Sequence, residues 1–95
     1  MQLLVVLTRG GGRWGLARDA VREVVRQADG FAVATREGLV RADAVLDVAA
    51  HLNVRPPGAV VARFWPGRCL GVAIHDGAPV VVVSPAALPP VLQAE

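Results

Sequence analysis

Lysine and tyrosine are absent from this 95-residue chain, and cysteine occurs once. A lone Cys69 excludes an internal disulfide. It fits a reducing compartment, so a cytoplasmic location is expected. The absence of lysine removes the residue that ends a phosphate-binding P-loop, so the glycine-rich "GGGRWG" (10–15) lacks that chemistry. Its glycine spacing also departs from the dinucleotide fingerprint. Aromatic residues make up 4% of the chain, which leaves little for stacking on bases. No apolar run approaches the roughly 20 residues needed to span a bilayer, so membrane insertion is not expected. Residues 1–7 are apolar, but Arg9 follows and no small-residue cleavage site does, so no secretory signal is expected.

All basic residues are arginines, which fits the base composition of a GC-rich genome before it fits selection for bidentate contacts. The formal net charge is only +2. The sequence pI near 10.0 reflects missing lysine and tyrosine buffering as much as basicity. Nucleic-acid binders of this size usually carry a larger excess. Hydrophobic residues make up 54%, enough for one core, and residues 1–95 are read as a single domain.

"QLLVVLT" (2–8) is a continuous apolar run of strand length. The glycines at 10–12 can turn it, and "RWGL" (13–16) can return as the second strand of a hairpin. Residues 16–28 fit two patterns. Leu16, Ala17, Ala20, Val21, Val24, Val25 and Ala28 recur at helical spacing, which favours a helix. Yet "VREVV" is β-branched and alternates as a strand does. "FAVAT" (31–35) and "LVR" (39–41) read as strands around an "REG" turn. "DAVLDVAAHLN" (43–53) reads as a helix, with Asp43 as its cap, an apolar stripe of Val45, Val48, Ala49 and Leu52, and Asn53 as a left-handed end. "AVVARFW" (59–65), "CLGVAI" (69–74) and "PVVVV" (79–83) read as strands joined by Pro66-Gly67 and Asp76-Gly77 turns. Pro85, Pro89 and Pro90 close the chain in an extended tail. The fold class is mainly β and mostly antiparallel, with one or two short helices.

The series Arg9, Arg13, Arg18, Arg22, Arg26 could follow a phosphate backbone. Asp19 and Glu23 interrupt it, and the simpler reading is a solvated face with local ion pairs. His51 and His75 have no second histidine or cysteine at ligand spacing, so no metal or cofactor is expected. Cys69 lacks an activating neighbourhood, and Ser84 lacks a nucleophile elbow. No catalytic constellation emerges, and the chain is read as non-catalytic. Trp14, Phe64 and Trp65 are core residues, or interface anchors where exposed.

Three segments together resemble the chemotaxis coupling-protein (CheW-like) domain. "GRWGLARDAVREVV" (12–25) matches its opening through Trp14, Leu16, Val21, Glu23 and Val24. "GFAVATREGLVRADAVLDVAAHLNV" (30–54) is similar in outline to the next signature, through Gly30, Arg36, Gly38, Asp47 and Leu52. "VVARFWPGRCLGVAIHDGAPV" (60–80) fits the last through Gly67, Arg68, Gly71 and Ile74. The departures are a near-absent proline-rich link after Val25, an Arg-Gly pair split by Glu37, and His75 where the family carries aspartate. The resemblance implies a short, divergent member: small paired SH3-like β-barrels, reduced here. It implies that 11–27 is a hairpin turn and strand with a helical turn near 18–21, against the periodicity. It implies a Glu23–Arg36 ion pair tying two strands. It further implies a bacterial adaptor in a chemosensory-type signalling assembly, binding chemoreceptor-like and histidine-kinase-like proteins. The partner-binding residues would be Arg22, Glu23, Val24, Arg26, Arg36, Leu39, Val40, Val72 and Ile74. Valine-rich strand edges would also allow self-association. The rivals are a small basic β-barrel that binds nucleic acid, and a small enzyme or ligand-binding domain with a pocket near His51, His75 and Asp76.

Overall fold

The run "QLLVVL" has almost no polar positions, so a strand made of it must be covered on both sides. β1 (Gln2–Leu7) does this, burying Leu3, Leu4, Val5 and Val6 completely. The structure is a computed structural model and describes residues 1–8, 12–56, 58, 69–88 and 90–93. β1 pairs antiparallel with β2 (Arg13–Ala17), from Leu3↔Ala17 to Leu7↔Arg13. A 3-10 turn at Arg18–Ala20 then delivers the chain to β3 (Val21–Gln27), β4 (Gly30–Thr35) and β5 (Gly38–Ala42), a three-stranded antiparallel sheet.

β6 (Ala44–His51) returns to the free edge of β1. β7 (Cys69–His75) and β8 (Ala78–Val83) form a hairpin. Its turn residues Asp76 and Gly77 both have positive φ (49° and 78°), as a two-residue hairpin loop of primed type requires. β8 lies parallel to β2 through Trp14↔Val81 and Gly15↔Val82, completing a five-stranded sheet of order β6-β1-β2-β8-β7.

That sheet curls, and an isolated bridge beyond the end of β6 links its two sides without pairing the edge strands. The chain leaving β6 reaches β7 at Arg55, whose amide donates to the Val72 carbonyl (3.0 Å) and whose carbonyl accepts from the Val72 amide (2.9 Å). Gly71 makes the approach feasible. A Cβ there would collide with Val54 Cγ1 and lie 2.5 Å from the Arg55 carbonyl oxygen.

Two apolar clusters result, one on each face of β1. Leu4 and Val6 join Trp14, Leu16, Val21, Val33, Val40, Ala42, Val83 and Leu92 between the two sheets. Leu3 and Val5 join Ala50, Ala73, Val80 and Val82 inside the roll. Each fully buried valine or leucine contributes about 1.5–3 kcal/mol. Trp14 closes the first hairpin: its indole Nε1–H donates to Thr8 Oγ1 (2.8 Å), and the Thr8 amide donates to the Gly12 carbonyl (2.9 Å).

The chain is mainly β, as composition and patterning suggest. Both helices expected from periodicity are strands instead. Residues 21–27 form β3, preceded only by the single turn at 18–20. Residues 44–51 form β6, and Asp43 caps nothing: its amide donates to the Leu7 carbonyl (2.9 Å) and extends the ladder. Two register shifts opposite β1, at Leu3/Val5 and Val5/Val6, explain the false periodicity. Each inserted residue slips the alternation, so Val45 stands opposite Val6 and packs on the first cluster, while Asp47, two residues on, stands opposite Val5 of the second. Asn53 is not left-handed; among the described residues other than glycine, only Asp76 has positive φ. The proline-rich tail is not simply extended. A 3-10 turn at Pro90–Leu92 inserts Leu92 fully into the core. Among the described residues neither sheet closes into the barrel that the resemblance implies. The strand expected over 59–65 and the turn at 66–67 lie outside the described residues.

Candidate functional site

The expected binding residues fall on two separate surfaces. Arg22, Glu23, Val24 and Arg26 belong to β3, Arg36 sits in the β4–β5 turn, and Leu39 and Val40 belong to β5. Val72 and Ile74 belong to β7.

On the three-stranded sheet, register sorts the side chains. Val24, Val33 and Val40 lie in one cross-strand row, which faces the core. Val40 is completely buried, so it supports the sheet from behind and cannot touch a partner, contrary to its expected role. Val24 is partly buried against the same cluster. The outward face carries two rows, Val25–Ala32–Arg41 and Glu23–Ala34–Leu39. Alanines fill the middle, so the face is shallow at its centre, with Val25 (42% exposed) and Leu39 (53% exposed) raised on opposite sides. Arg22, the extra residue at the shift between Val21 and Glu23, is exposed, as are Arg26 and Arg36.

The implied Glu23–Arg36 ion pair is not made. Glu23 stands opposite Ala34, Arg36 lies in the turn beyond Thr35, and the ion pairs among the described residues are those of His75. The turn is held by Thr35 instead: its hydroxyl donates to the Gly38 carbonyl (2.8 Å) and accepts from the Glu37 amide (3.2 Å). Charge on this half is balanced. Arg18, Arg22, Arg26, Arg36 and Arg41 are matched in number by Asp19, Glu23, Asp29, Glu37 and Asp43.

On β7, Ile74 is 61% exposed and Val72 is partly buried. They line a groove of about 950 Å³ with His51, Leu52, Arg55 and Pro56 among its other walls. The described lining residues include Arg55 and His51 but no carboxylate.

The pocket considered for His51, His75 and Asp76 does not form as a unit. His51 Nε2 lies 3.0 Å from Gln2 Nε2. His75 sits at the rim of the roll, its Nε2 3.3 Å from Asp47 Oδ2 on β6 and its Nδ1 3.8 Å from Asp76 Oδ2. Arg13 donates to the His75 carbonyl (3.1 Å). Among the described residues, the buried Nδ1 atom has no hydrogen-bond partner. Asp47 was not singled out by its chemistry in the sequence. Its signal is an acid inside the apolar run "VLDVAA", and its other oxygen accepts from the Ala49 amide (3.0 Å) to shape the irregular strand. This contact ties β6 to β7. Neither ring nitrogen of His75 hydrogen-bonds a hydroxyl among the described residues. No group of three or more His, Cys, Asp or Glu among the described residues could hold a metal ion. No described helix is long and apolar enough to cross a membrane.

Comparison with protein-family models, curated proteins and solved structures finds no match to this chain.

Proposed function

We propose that this chain is a non-catalytic protein-binding adaptor that works through the β3–β4–β5 sheet. The observation that carries the reading is the outward face of that sheet. Leu39 and Val25 stand exposed beside Glu23, Arg41 and the turn residue Arg36, while the opposite face is fixed to the core by Val33 and Val40. A rigid face with a raised apolar side chain and charged neighbours suits a protein contact, where apolar anchors supply affinity and rim charges set orientation. The finer reading, an adaptor between a chemoreceptor-like protein and a histidine kinase in a bacterial chemosensory-type assembly, is supported by the resemblance of residues 12–25, 30–54 and 60–80. Val72 and Ile74, on β7 of the five-stranded sheet, would serve a second contact.

The balanced charge of residues 18–43 argues against the nucleic-acid reading, because phosphate binding needs a net positive face. The test is a pull-down from native cell extract with the purified chain and its Leu39→Glu variant, at low and moderate salt. A receptor-like or kinase-like signalling protein recovered at both salts, and lost with Leu39→Glu, supports the adaptor. Nucleic acid that is recovered at low salt and vanishes at moderate salt overturns it in favour of the basic module.

A further inference from the structure

β3 is an edge strand. It pairs with β4 on one side, and among the described residues no strand pairs with the other. From Arg22 to Gln27 every residue but Val24 is exposed. Such an edge presents a row of backbone donors and acceptors to any strand that fits it.

The side chains limit which strand fits. A second copy of β3 adding antiparallel is related by a two-fold axis perpendicular to the sheet. That axis keeps each side chain on its own face, so each register centres on one residue meeting itself. Centring on Glu23 opposes two carboxylates. Centring on Val24 sets Arg22 against Arg26 at both ends. Centring on Arg26 opposes two guanidinium groups. Centring on Val25 brings no like charges directly together: Val25 meets Val25, Glu23 meets Gln27 twice, and Val24 meets the aliphatic stem of Arg26 twice.

We infer that a second copy of this chain adds to β3 in antiparallel register centred on Val25, joining two three-stranded sheets into one of six strands. The two-fold axis places both outward faces, each with its own Leu39, on the same side of the joined sheet. The inference does not depend on the identity of the adaptor's partner, and its test uses the purified chain alone.

Sedimentation over a dilution series should show a monomer–dimer equilibrium. Val25→Arg, which sets two cations against each other at the centre, should weaken association by about tenfold or more while leaving the unfolding midpoint unchanged at dilutions where both chains are monomeric. Leu70→Arg, an exposed change on β7, should leave association intact. In a Cys69→Ser background, Val25→Cys should form a disulfide-linked dimer on mild oxidation, since directly opposed Cβ atoms lie about 4.5–5.5 Å apart. Val24→Cys should not. A chain that stays monomeric throughout, a dimer indifferent to Val25→Arg, or a dimer in which Val25→Cys fails to cross-link would each overturn the inference.

Discussion

Gly71→Ala should open the seam of the rolled sheet. The added methyl group would collide with Val54 Cγ1 and lie 2.5 Å from the Arg55 carbonyl oxygen. The Arg55 carbonyl belongs to backbone held against β7, so it cannot swing aside as a flexible side chain would. The segment 54–55 must retreat, and the reciprocal Arg55–Val72 hydrogen bonds of 3.0 and 2.9 Å go with it. Each lost bond costs about 0.5–1.5 kcal/mol net. Displacing Val54, which packs on the cluster inside the roll, adds to this. Overpacking costs about 1–3 kcal/mol where the structure cannot give. A total of roughly 2–6 kcal/mol follows, a large part of the 5–15 kcal/mol typical of a domain. Urea unfolding followed by tryptophan fluorescence should show a lower midpoint with little change in slope. Hydrogen exchange at the Val72 and Arg55 amides should quicken even under native conditions. A midpoint within about 0.5 kcal/mol of the parent, with those two amides still protected, would refute the claim that glycine is needed there for close approach.

Thr8→Val removes the acceptor of the 2.8 Å bond from the Trp14 indole and should cost about 1–2 kcal/mol in urea unfolding, with Thr8→Ser retaining most of the stability. Leu92→Ala should cost about 2–5 kcal/mol by the same assay, because its side chain is fully buried although it lies in the proline-rich tail. Leu39→Ala should change stability by less than about 0.5 kcal/mol, its side chain being half exposed, while reducing recovery of the adaptor's partner. Asp47→Ala should cost about 1 kcal/mol, through the Ala49 amide bond and the contact with His75, and Asp47→Asn should restore part of it.

The proposed surface was only partly visible in the sequence. Leu39 and Arg36 were implied by the resemblance, and both prove exposed. Val40, one position along, faces the opposite side because strand side chains alternate. Which of two adjacent residues points outward depends on register, and "LVR" is too short to show it. The Glu23–Arg36 pair is missing because Glu23 stands opposite Ala34 while Arg36 lies past the end of β4, in the turn. Asp47 and His75 are 28 residues apart, and nothing local announces that β6 and β7 come together.

The β character, the β1–β2 hairpin and the Asp76-Gly77 turn were settled by the chain itself. Continuous β-branched runs must be covered on both faces, and Asp-Gly tolerates the positive φ that a tight hairpin needs. The identity of residues 21–27 and 44–51 as strands was decided by tertiary structure. Their apolar spacing suits a helix equally well, and only the edges of β4 and β1, with two register shifts along β6, supply the backbone partners that make them strands. The parallel seam between β2 and β8 and the burial of Leu92 are likewise long-range facts. Local propensity carries no information about which distant strand will satisfy a given row of backbone hydrogen bonds, and packing settles it.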